Sequence, residues 1–240
     1  MSRSNVIDLG LIGYVQAWEL QKRVVAARKA DAIGDVLLFC EHPHAITLGR
    51  NGNRANLLAS ESVLRQKGVA YFESSRGGDI TYHGPGQIVG YPVLDLGAIK
   101  RDVVWYVRML EEVMIRAAAD FGVAAGREAG KTGVWVGQGA AAEKLAAIGI
   151  HVSRWVTSHG FAFNVATDLR YFDLIVPCGI LKRKATSLEK LLGRQVQLKD
   201  VRSRLAQHFG DVFGRETGNS DLRELAGQLE EAERRVAVPA

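Results

Sequence analysis

The chain offers two cysteine thiols, and they stand in different sequence surroundings. Cys178 lies in the segment IVPCGI, between Pro177 and Gly179. Proline fixes the approach of the chain and glycine lets another molecule come close, so this thiol is a candidate nucleophile. The alternative is a small buried hydrophobic residue, an interpretation that suits Cys40 better because it follows the apolar run VLLF.

A lysine provides a second candidate group. Lys144 begins the apolar run KLAAIGI. Partial desolvation there would favour the neutral amine and let this side chain act as a base. The alternative is an ordinary lysine whose charged end reaches solvent beside apolar neighbours.

A glycine-rich segment, RGGDITYH at residues 76–83, combines an arginine, two glycines and a histidine. The glycines would let the backbone approach a ligand, with polar contacts from Arg76 and His83. They equally fit a tight hairpin, so both interpretations stay open. The segment lacks the GxxxxGK[ST] pattern of a phosphate loop, and it does not repeat as RNA-binding RGG tails do.

The segment CEHPH at residues 40–44 places one cysteine and two histidines close together. Pro43 separates the histidines, and the chain has no second cluster of this kind. These features argue against a zinc site, so we expect no bound metal.

The overall composition limits the class of protein. The chain has 240 residues, of which 47% are hydrophobic and 24% charged, which excludes a disordered, collagen-like or coiled-coil protein. A net charge of +5, spread along the chain, is compatible with acidic partners and argues against nucleic acid. The absence of a secretory signal, of a stretch of roughly 18 apolar residues and of clustered cysteines predicts a cytoplasmic protein without membrane spans.

Hydrophobic patterning predicts an α+β fold, with mixed β-sheets flanked by helices that pack on one side. Residues 45–48 are expected to form a hairpin with 36–39, and residues 79–83 and 87–95 are expected to be two strands hinged at HGPG. Ser60 and Asp102 are predicted helix N-caps. Strands are predicted at 6–11, 36–39, 45–48, 69–73, 79–83, 87–95, 133–136, 144–152 and 161–165, and helices at 14–30, 60–67, 103–121 and through much of the chain after 186.

Six motifs, taken in order, resemble those of the bacterial lipoyl(octanoyl) transferases over residues 6 to 195. They are EHP…TLGR, RGGDITYHGPGQIVGYPVLDL, GVWV, KLAAIGI, HGFAFNV and PCGI followed by TSLEKLLG. The resemblance implies the fold of biotin and lipoate protein ligases, as a single catalytic domain at 1–215. Residues 216–240 would be a charged helical or flexible tail. His44 departs from the pattern, since many relatives have an apolar residue or proline there.

The resemblance also implies a reaction. The family moves an octanoyl group from octanoyl-acyl carrier protein, through a thioester on the cysteine matched by Cys178, to a lysine ε-amine of lipoyl domains. Those domains belong to 2-oxoacid dehydrogenase complexes and the glycine cleavage H protein. The family's catalytic lysine is matched by Lys144, which would favour the thiolate and then act as base. No cofactor is implied, and we expect a monomer.

The family's acyl-binding segments correspond to three short stretches, whose small and apolar residues suit an eight-carbon chain. They comprise Arg76, Gly77, Gly78, Asp79, Ile80, Thr81, Tyr82 and His83, then Ala147, Ile148 and Gly149, and finally Gly160, Phe161 and Ala162. Two alternative functions are kept: an ATP-dependent lipoate–protein ligase, and a non-catalytic module that binds carrier domains.

Overall fold

A computed structural model describes residues 3–176 and 184–237 of the chain. The strands are β1 (Arg3–Leu11), β2 (Asp35–Glu41), β3 (Ala45–Leu48), β4 (Ala70–Glu73), β5 (Ile80–His83), β6 (Gln87–Val93), β7 (Ala125–Glu128), β8 (Lys131–Val136), β9 (Glu143–Ser153), β10 (Val156–Asn164) and β11 (Glu216–Asn219). The helices are α1 (Tyr14–Lys29), α2 (Glu61–Gln66), α3 (Leu96–Ile99), α4 (Val103–Asp120), α5 (Leu188–Leu192), α6 (Leu198–Phe213) and α7 (Leu222–Ala237).

The strands form two sheets. The large sheet has eight strands in the order β11-β1-β2-β6-β10-β9-β8-β7, and the small sheet has the order β4-β3-β5. In the large sheet β1 runs parallel to β11 and to β2, while the other neighbours are antiparallel. The predicted α+β class with mixed sheets is confirmed.

Helices cover both faces of the large sheet. In β2, Leu37 and Phe39 join a core with residues of α4 and α6, whereas Leu38 and Cys40 join a core with α1 and α7. Successive side chains of a strand point to opposite faces, and a strand covered on both faces therefore has a continuous apolar run. The prediction that the helices pack on one side is wrong, because the C-terminal helix joins α1 on the second face.

The predicted pairing of residues 45–48 with 36–39 is wrong, whereas the two strands predicted on either side of HGPG are present as β5 and β6. β2 and β6 belong to the large sheet, whereas β3 and β5 belong to the small sheet. The chain thus crosses between sheets twice, at residues 42–44 and at residues 84–86. A hydrogen bond joins the two crossings: the Gly86 N–H donates to Oε2 of Glu41, the last residue of β2, at 2.8 Å. Turn residues indicate where a strand ends but leave its pairing partner unspecified.

Both predicted N-caps are confirmed. Ser60 Oγ accepts a hydrogen bond from the Val63 N–H at the start of α2. Asp102 Oδ1 accepts one from the Trp105 N–H at 2.9 Å at the start of α4. Each cap satisfies a backbone donor that has no partner within its helix.

Residues after 215 pack against the rest of the chain. β11 pairs in parallel with β1, and Leu225 and Leu229 of α7 are buried in the core that includes α1. Arg23 of α1 also donates to Glu233 at 2.7 Å. The division at residue 215 stays a prediction. Within the described ranges, no helix is both long and apolar enough to cross a membrane.

A buried carboxylate supports an irregularity in β8. The register of β8 against β9 shifts between Val134 and Trp135, and Gly133 has φ +118°. A Cβ at Gly133 would lie 2.5 Å from the carbonyl oxygen of Ala146, so only glycine fits. Glu111 of α4 is fully buried and accepts the Gly133 N–H at 3.0 Å. Glu111 therefore supplies the acceptor for a backbone N–H beside the register shift.

We expect Glu111→Ala to lower the free energy of unfolding by at least about 1–3 kcal/mol, because it leaves the buried Gly133 N–H without an acceptor and also removes the ion pairs of Glu111 with Arg108 and Arg127. Urea unfolding measures the change. Glu112→Ala is the matched control, since that half-buried neighbour makes surface ion pairs with Arg116 and Arg127 worth about 0–1 kcal/mol. Equal losses in the two variants would contradict the role given to the Gly133 N–H.

Candidate active site

A cavity of about 300 Å³ lies between residues of the two sheets. Its walls include Ile80 and His83 from the small sheet and Val89, Ile148 and Phe161 from the large sheet. This volume lies at the lower end of the range for small-molecule sites, about 300–1,000 Å³. The cavity is therefore large enough for a small ligand with an apolar part.

Most of the site residues predicted from the sequence meet at this cavity. Gly77 and Tyr82 do not line it: the Gly77 N–H binds the Ile150 carbonyl, and the Tyr82 hydroxyl binds His44 Nδ1 at 2.8 Å. Cys178 lies outside the described residues. The predicted residues that line the cavity are Arg76, Gly78, Asp79, Ile80, Thr81, His83, Lys144, Ala147, Ile148, Gly149, Gly160, Phe161 and Ala162.

The cavity has further wall residues that the sequence analysis did not single out. His159 begins the motif HGFAFNV and Trp135 lies within the motif GVWV, so both could have been found as members of a motif. Tyr14 comes from α1, and only the packing of that helix brings it to the cavity. The others include Gln87, Val89, Tyr91, Lys131, Asn164 and Phe172.

The glycine-rich segment joins the small sheet to β9. The Gly77 N–H donates to the Ile150 carbonyl at 2.8 Å. A Cβ at Gly149 would lie 2.9 Å from the Gly77 carbonyl oxygen, so this approach requires glycine. The buried Arg76 guanidinium donates to the Thr47 carbonyl at 2.6 Å and to Thr47 Oγ1 at 2.9 Å. These contacts hold the segment against both sheets.

Lys144 lies on β9, opposite Trp135 of β8. Its Nζ is 4.6 Å from the centre of the Trp135 ring, a distance at which a cation interacts with an aromatic face. The Lys144 N–H donates to the Lys184 carbonyl at 2.9 Å, and its carbonyl accepts the Thr186 N–H at 2.9 Å. The backbone of Lys144 therefore fixes the chain that follows residue 183.

Asp79 fixes the chain on the other side of the undescribed segment. Its carboxylate accepts the Asn53 N–H at 3.0 Å and the Asn56 side-chain amide at 2.5 Å. The Asn56 carbonyl in turn accepts the Val176 N–H at 2.7 Å. Residues 176 and 184 are thus both tied to residues that line the cavity or contact it.

Two buried histidines line the cavity, and burial lowers the pKa of each to about 3, with Arg76 adding to the shift. His83 Nδ1 donates to Gln87 Oε1 at 2.8 Å, and the Gln87 amide donates to Asn164 Oδ1 at 3.0 Å. His159 Nε2 and Ser75 Oγ are 2.9 Å apart. Both rings are therefore neutral at pH 7 and act as hydrogen-bonding groups.

The cysteine and the two histidines of the segment CEHPH each contact different residues. Cys40 is fully buried, and burial raises the pKa of its thiol, which makes it an unreactive packing residue. His42 Nε2 lies 2.7 Å from the Tyr91 hydroxyl, whereas His44 stacks on Tyr171 with ring centres 4.2 Å apart. Among the residues that the structure describes, no three His, Cys, Asp or Glu side chains converge on a possible metal position.

The buried histidines predict a pH dependence of stability. In the unfolded chain a histidine binds a proton below about pH 6.5, whereas His83 and His159 in the folded protein do so only near pH 3. The unfolded state then binds more protons, so stability falls as pH decreases, by up to about 1.4 kcal/mol per pH unit for each histidine. Urea unfolding at pH 7, 6 and 5 measures the slope.

We expect His83→Asn to flatten this slope below pH 6.5, because the variant removes one group that takes up a proton on unfolding. His159→Asn is the parallel variant, since asparagine tolerates the positive φ at that position. An unchanged slope in both variants would show that other groups cause the pH dependence.

The sequence matches the family model described as the lipoyl protein ligase A/B catalytic domain over residues 13–210. A protein of Solibacter usitatus named octanoyltransferase is 53% identical over 206 residues, which cover 86% of this chain and 91% of that protein. The octanoyltransferase of Caldicellulosiruptor saccharolyticus is 48% identical over 236 residues, covering 96% of this chain and 99% of its own length.

Solved structures share the fold at low identity. A bipartite lipoate protein ligase of Thermoplasma acidophilum, described together with its E2 lipoyl domain, has a TM-score of 0.74 at 14% identity and covers 98% of this chain and 92% of its own. A biotin protein ligase of Aquifex aeolicus, in complex with biotin and ATP, has a TM-score of 0.53 at 13% identity, with coverages of 88% and 70%. These likenesses confirm the predicted ligase-like fold. Together with the family match and the identities to octanoyltransferases, they show that the chain belongs to the lipoyl protein ligase A/B catalytic-domain family and is an acyltransferase.

Proposed function

We propose that this enzyme transfers an octanoyl group from octanoyl-acyl carrier protein, through a Cys178 thioester, to a lysine ε-amine of lipoyl domains. The observation that carries the proposal is the cavity, which is lined by apolar side chains together with Lys144 and with Lys184 and Ala185, which follow the segment that contains Cys178. Relatives at 48–53% identity are named octanoyltransferases, which supports this acyl group.

The acyl chain would occupy the apolar part of the cavity. Ile80, Val89, Ile148 and Phe161 supply hydrocarbon surface. At about 0.8 kcal/mol for each buried CH₂, an eight-carbon chain would contribute several kcal/mol of binding. We therefore assign substrate binding to the wall residues of the three predicted segments.

In the first half-reaction the Cys178 thiolate attacks the carbonyl carbon of the donor thioester. A new carbon–sulfur bond forms, the bond to the carrier's sulfur breaks, and the carrier leaves as a thiol after taking a proton from the Lys144 ammonium, which leaves Lys144 neutral for the second step. Exchange of one thioester for another is nearly balanced in free energy, so no ATP is required. The Lys144 side chain would favour the thiolate through its positive charge.

In the second half-reaction a neutral lysine amine of the lipoyl domain attacks the acyl-enzyme. The carbon–nitrogen bond of the amide forms, the carbon–sulfur bond breaks, and the Cys178 sulfur leaves. The attacking amine must lose one proton, and we assign its removal to Lys144 acting as base. One side chain would thus serve both steps, first as a charge and then as a proton acceptor.

The partners follow from the family. Lipoyl domains are the general acceptor class, and the Thermoplasma acidophilum ligase is itself described with an E2 lipoyl domain. Octanoyl-acyl carrier protein as donor and the glycine cleavage H protein as one acceptor are finer proposals. A net charge of +5 is compatible with acidic partner domains. The cytoplasmic location and monomeric state stay predictions.

Intact-protein mass spectrometry tests the acyl-enzyme. After mixing with octanoyl-acyl carrier protein and no ATP, we expect one octanoyl group on the protein, mapped to Cys178 and released by a lipoyl domain. Cys178→Ser should abolish turnover, because a neutral serine hydroxyl is a far weaker nucleophile. Cys40→Ser is the matched control, and it should still form the adduct because Cys40 is fully buried.

The same assay separates the alternatives. Modification of the lipoyl domain only with ATP and free octanoate would place the protein among the lipoate ligases, whose fold it shares. No modification under either condition would indicate a non-catalytic binding module. Full activity of Cys178→Ser would contradict the nucleophile assignment.

Lys144→Ala tests the base. We expect the rate of lipoyl-domain modification to fall by about 10²–10⁴ at pH 7, because the amine then has no positioned proton acceptor. The residual rate should rise with pH, as the free thiol and the attacking amine deprotonate without help. Lys199→Ala, at an exposed position on α6, should behave like the wild type. A normal rate and pH profile for Lys144→Ala would contradict the assignment.

A further inference from the structure

A second cavity lies beyond the wall of the first. It has a volume of about 460 Å³ and is lined by α1, by Ser75 and by the ends of β9 and β10. Its walls include Trp18, Val25 and Ala26 as well as the side chains of Lys22 and Lys29. The carbon stems of lysines add apolar surface to such walls, so this cavity could accept hydrocarbon.

His159 lies between the two cavities. Its side chain lines the first cavity. Ser75, which lines the second, is 2.9 Å from His159 Nε2, and the Trp18 ring centre lies 6.0 Å from the imidazole centre. The His159 ring, on the side of the first cavity, and Ser75 and Trp18, on the side of the second, thus form the partition between the two cavities.

The position of this ring is fixed from several sides. His159 has φ +56° although it lies inside β10, a backbone conformation that non-glycine residues rarely adopt. The Gln21 side chain accepts the His159 N–H at 2.8 Å, and Ser75 engages the ring. Strained residues persist where their surroundings hold them, and they occur preferentially at functional sites.

The length of an octanoyl chain matches the length of the β9 segment that leads to His159. Eight extended carbons cover about 10 Å, which is about three residues of a β-strand. The segment of β9 assigned to the acyl chain, residues 147–149, has this length. The next residue, Ile150, is paired with His159 in the antiparallel ladder. An eight-carbon chain that ran along residues 147–149 would therefore end beside the ring.

We propose that His159 sets the upper limit on acyl chain length by closing the acyl cavity against the second cavity. This inference rests on the proposed function, because it assumes that the first cavity holds the acyl chain. Removing the ring would extend the first cavity towards Ser75, Trp18 and the second cavity. Chains longer than eight carbons could then continue beside α1 instead of meeting the imidazole.

The experiment compares kcat/KM for octanoyl-, decanoyl-, dodecanoyl- and myristoyl-acyl carrier protein. His159→Gly removes the ring and is free of strain at φ +56°. We expect its dodecanoyl-to-octanoyl ratio of kcat/KM to rise about tenfold or more over that of the wild type, since the fit of single methylenes changes rates by such factors. His159→Gln fills similar space and should keep the wild-type ratio.

His151→Ala is the matched control, because His151 lines only the second cavity, and it should leave the ratio unchanged. If circular dichroism shows that His159→Gly does not fold, Ser75→Ala replaces it. That variant frees the ring by removing its hydrogen bond, and it should raise the ratio by a smaller factor.

The outcomes separate the two proposals. A wild type that transfers no octanoyl group would overturn the proposed function itself. A wild type that transfers octanoyl groups, with an unchanged ratio in folded His159→Gly and in Ser75→Ala, would overturn the role of His159 alone. A rise in the ratio for His151→Ala equal to that for His159→Gly would likewise contradict a closing role for the ring.

Discussion

The hydrogen bond from the Gly77 N–H to the Ile150 carbonyl is the contact on which the site depends. It holds the glycine-rich segment that precedes β5 of the small sheet against β9 of the large sheet, and the cavity lies beside this contact. Gly149 permits it, because any side chain there would meet the Gly77 carbonyl. Arg76 extends the contact to β3 through Thr47. The two sheets thus form one site through a main-chain contact, and a residue larger than glycine at position 149 would disrupt it.

The same framework holds both ends of the segment that contains Cys178. Asp79 reaches Val176 through Asn56, and the backbone of Lys144 binds Lys184. A wall residue of the cavity therefore anchors the chain on each side of residues 177–183. Because Lys144 supplies both an anchor and the proposed base, a change in its backbone position would alter two parts of the chemistry together.

The sequence predicted local features well and long-range ones poorly. The apolar run before Cys40 and the caps at Ser60 and Asp102 are local, and the structure confirms them. Strand pairing across the 42–44 and 84–86 crossings is long-range, because the same period of apolar residues suits either sheet. At the site, the motifs led to wall residues on three segments. The motif HGFAFNV contains His159, but it gave no sign of that residue's φ of +56° or of its contacts with α1 and Ser75.

The state of the histidines decides which group can support a thiolate. Many cysteine enzymes use an imidazolium ion for this purpose, which requires a histidine that is protonated near neutral pH. His83 and His159 line the cavity, but burial and Arg76 hold the pKa of each near 3, so both are neutral. Their hydrogen bonds to Gln87 and Ser75 offset the cost of burying polar ring nitrogens in a largely apolar wall. Among the described residues of the wall, a stabilising positive charge must therefore come from lysine or arginine. Arg76 is committed to Thr47 and the adjoining loop, which leaves the wall lysines Lys131, Lys144 and Lys184. Of these, Lys144 is the one that the family motif matches, so we favour it over a histidine as the partner of the Cys178 thiol.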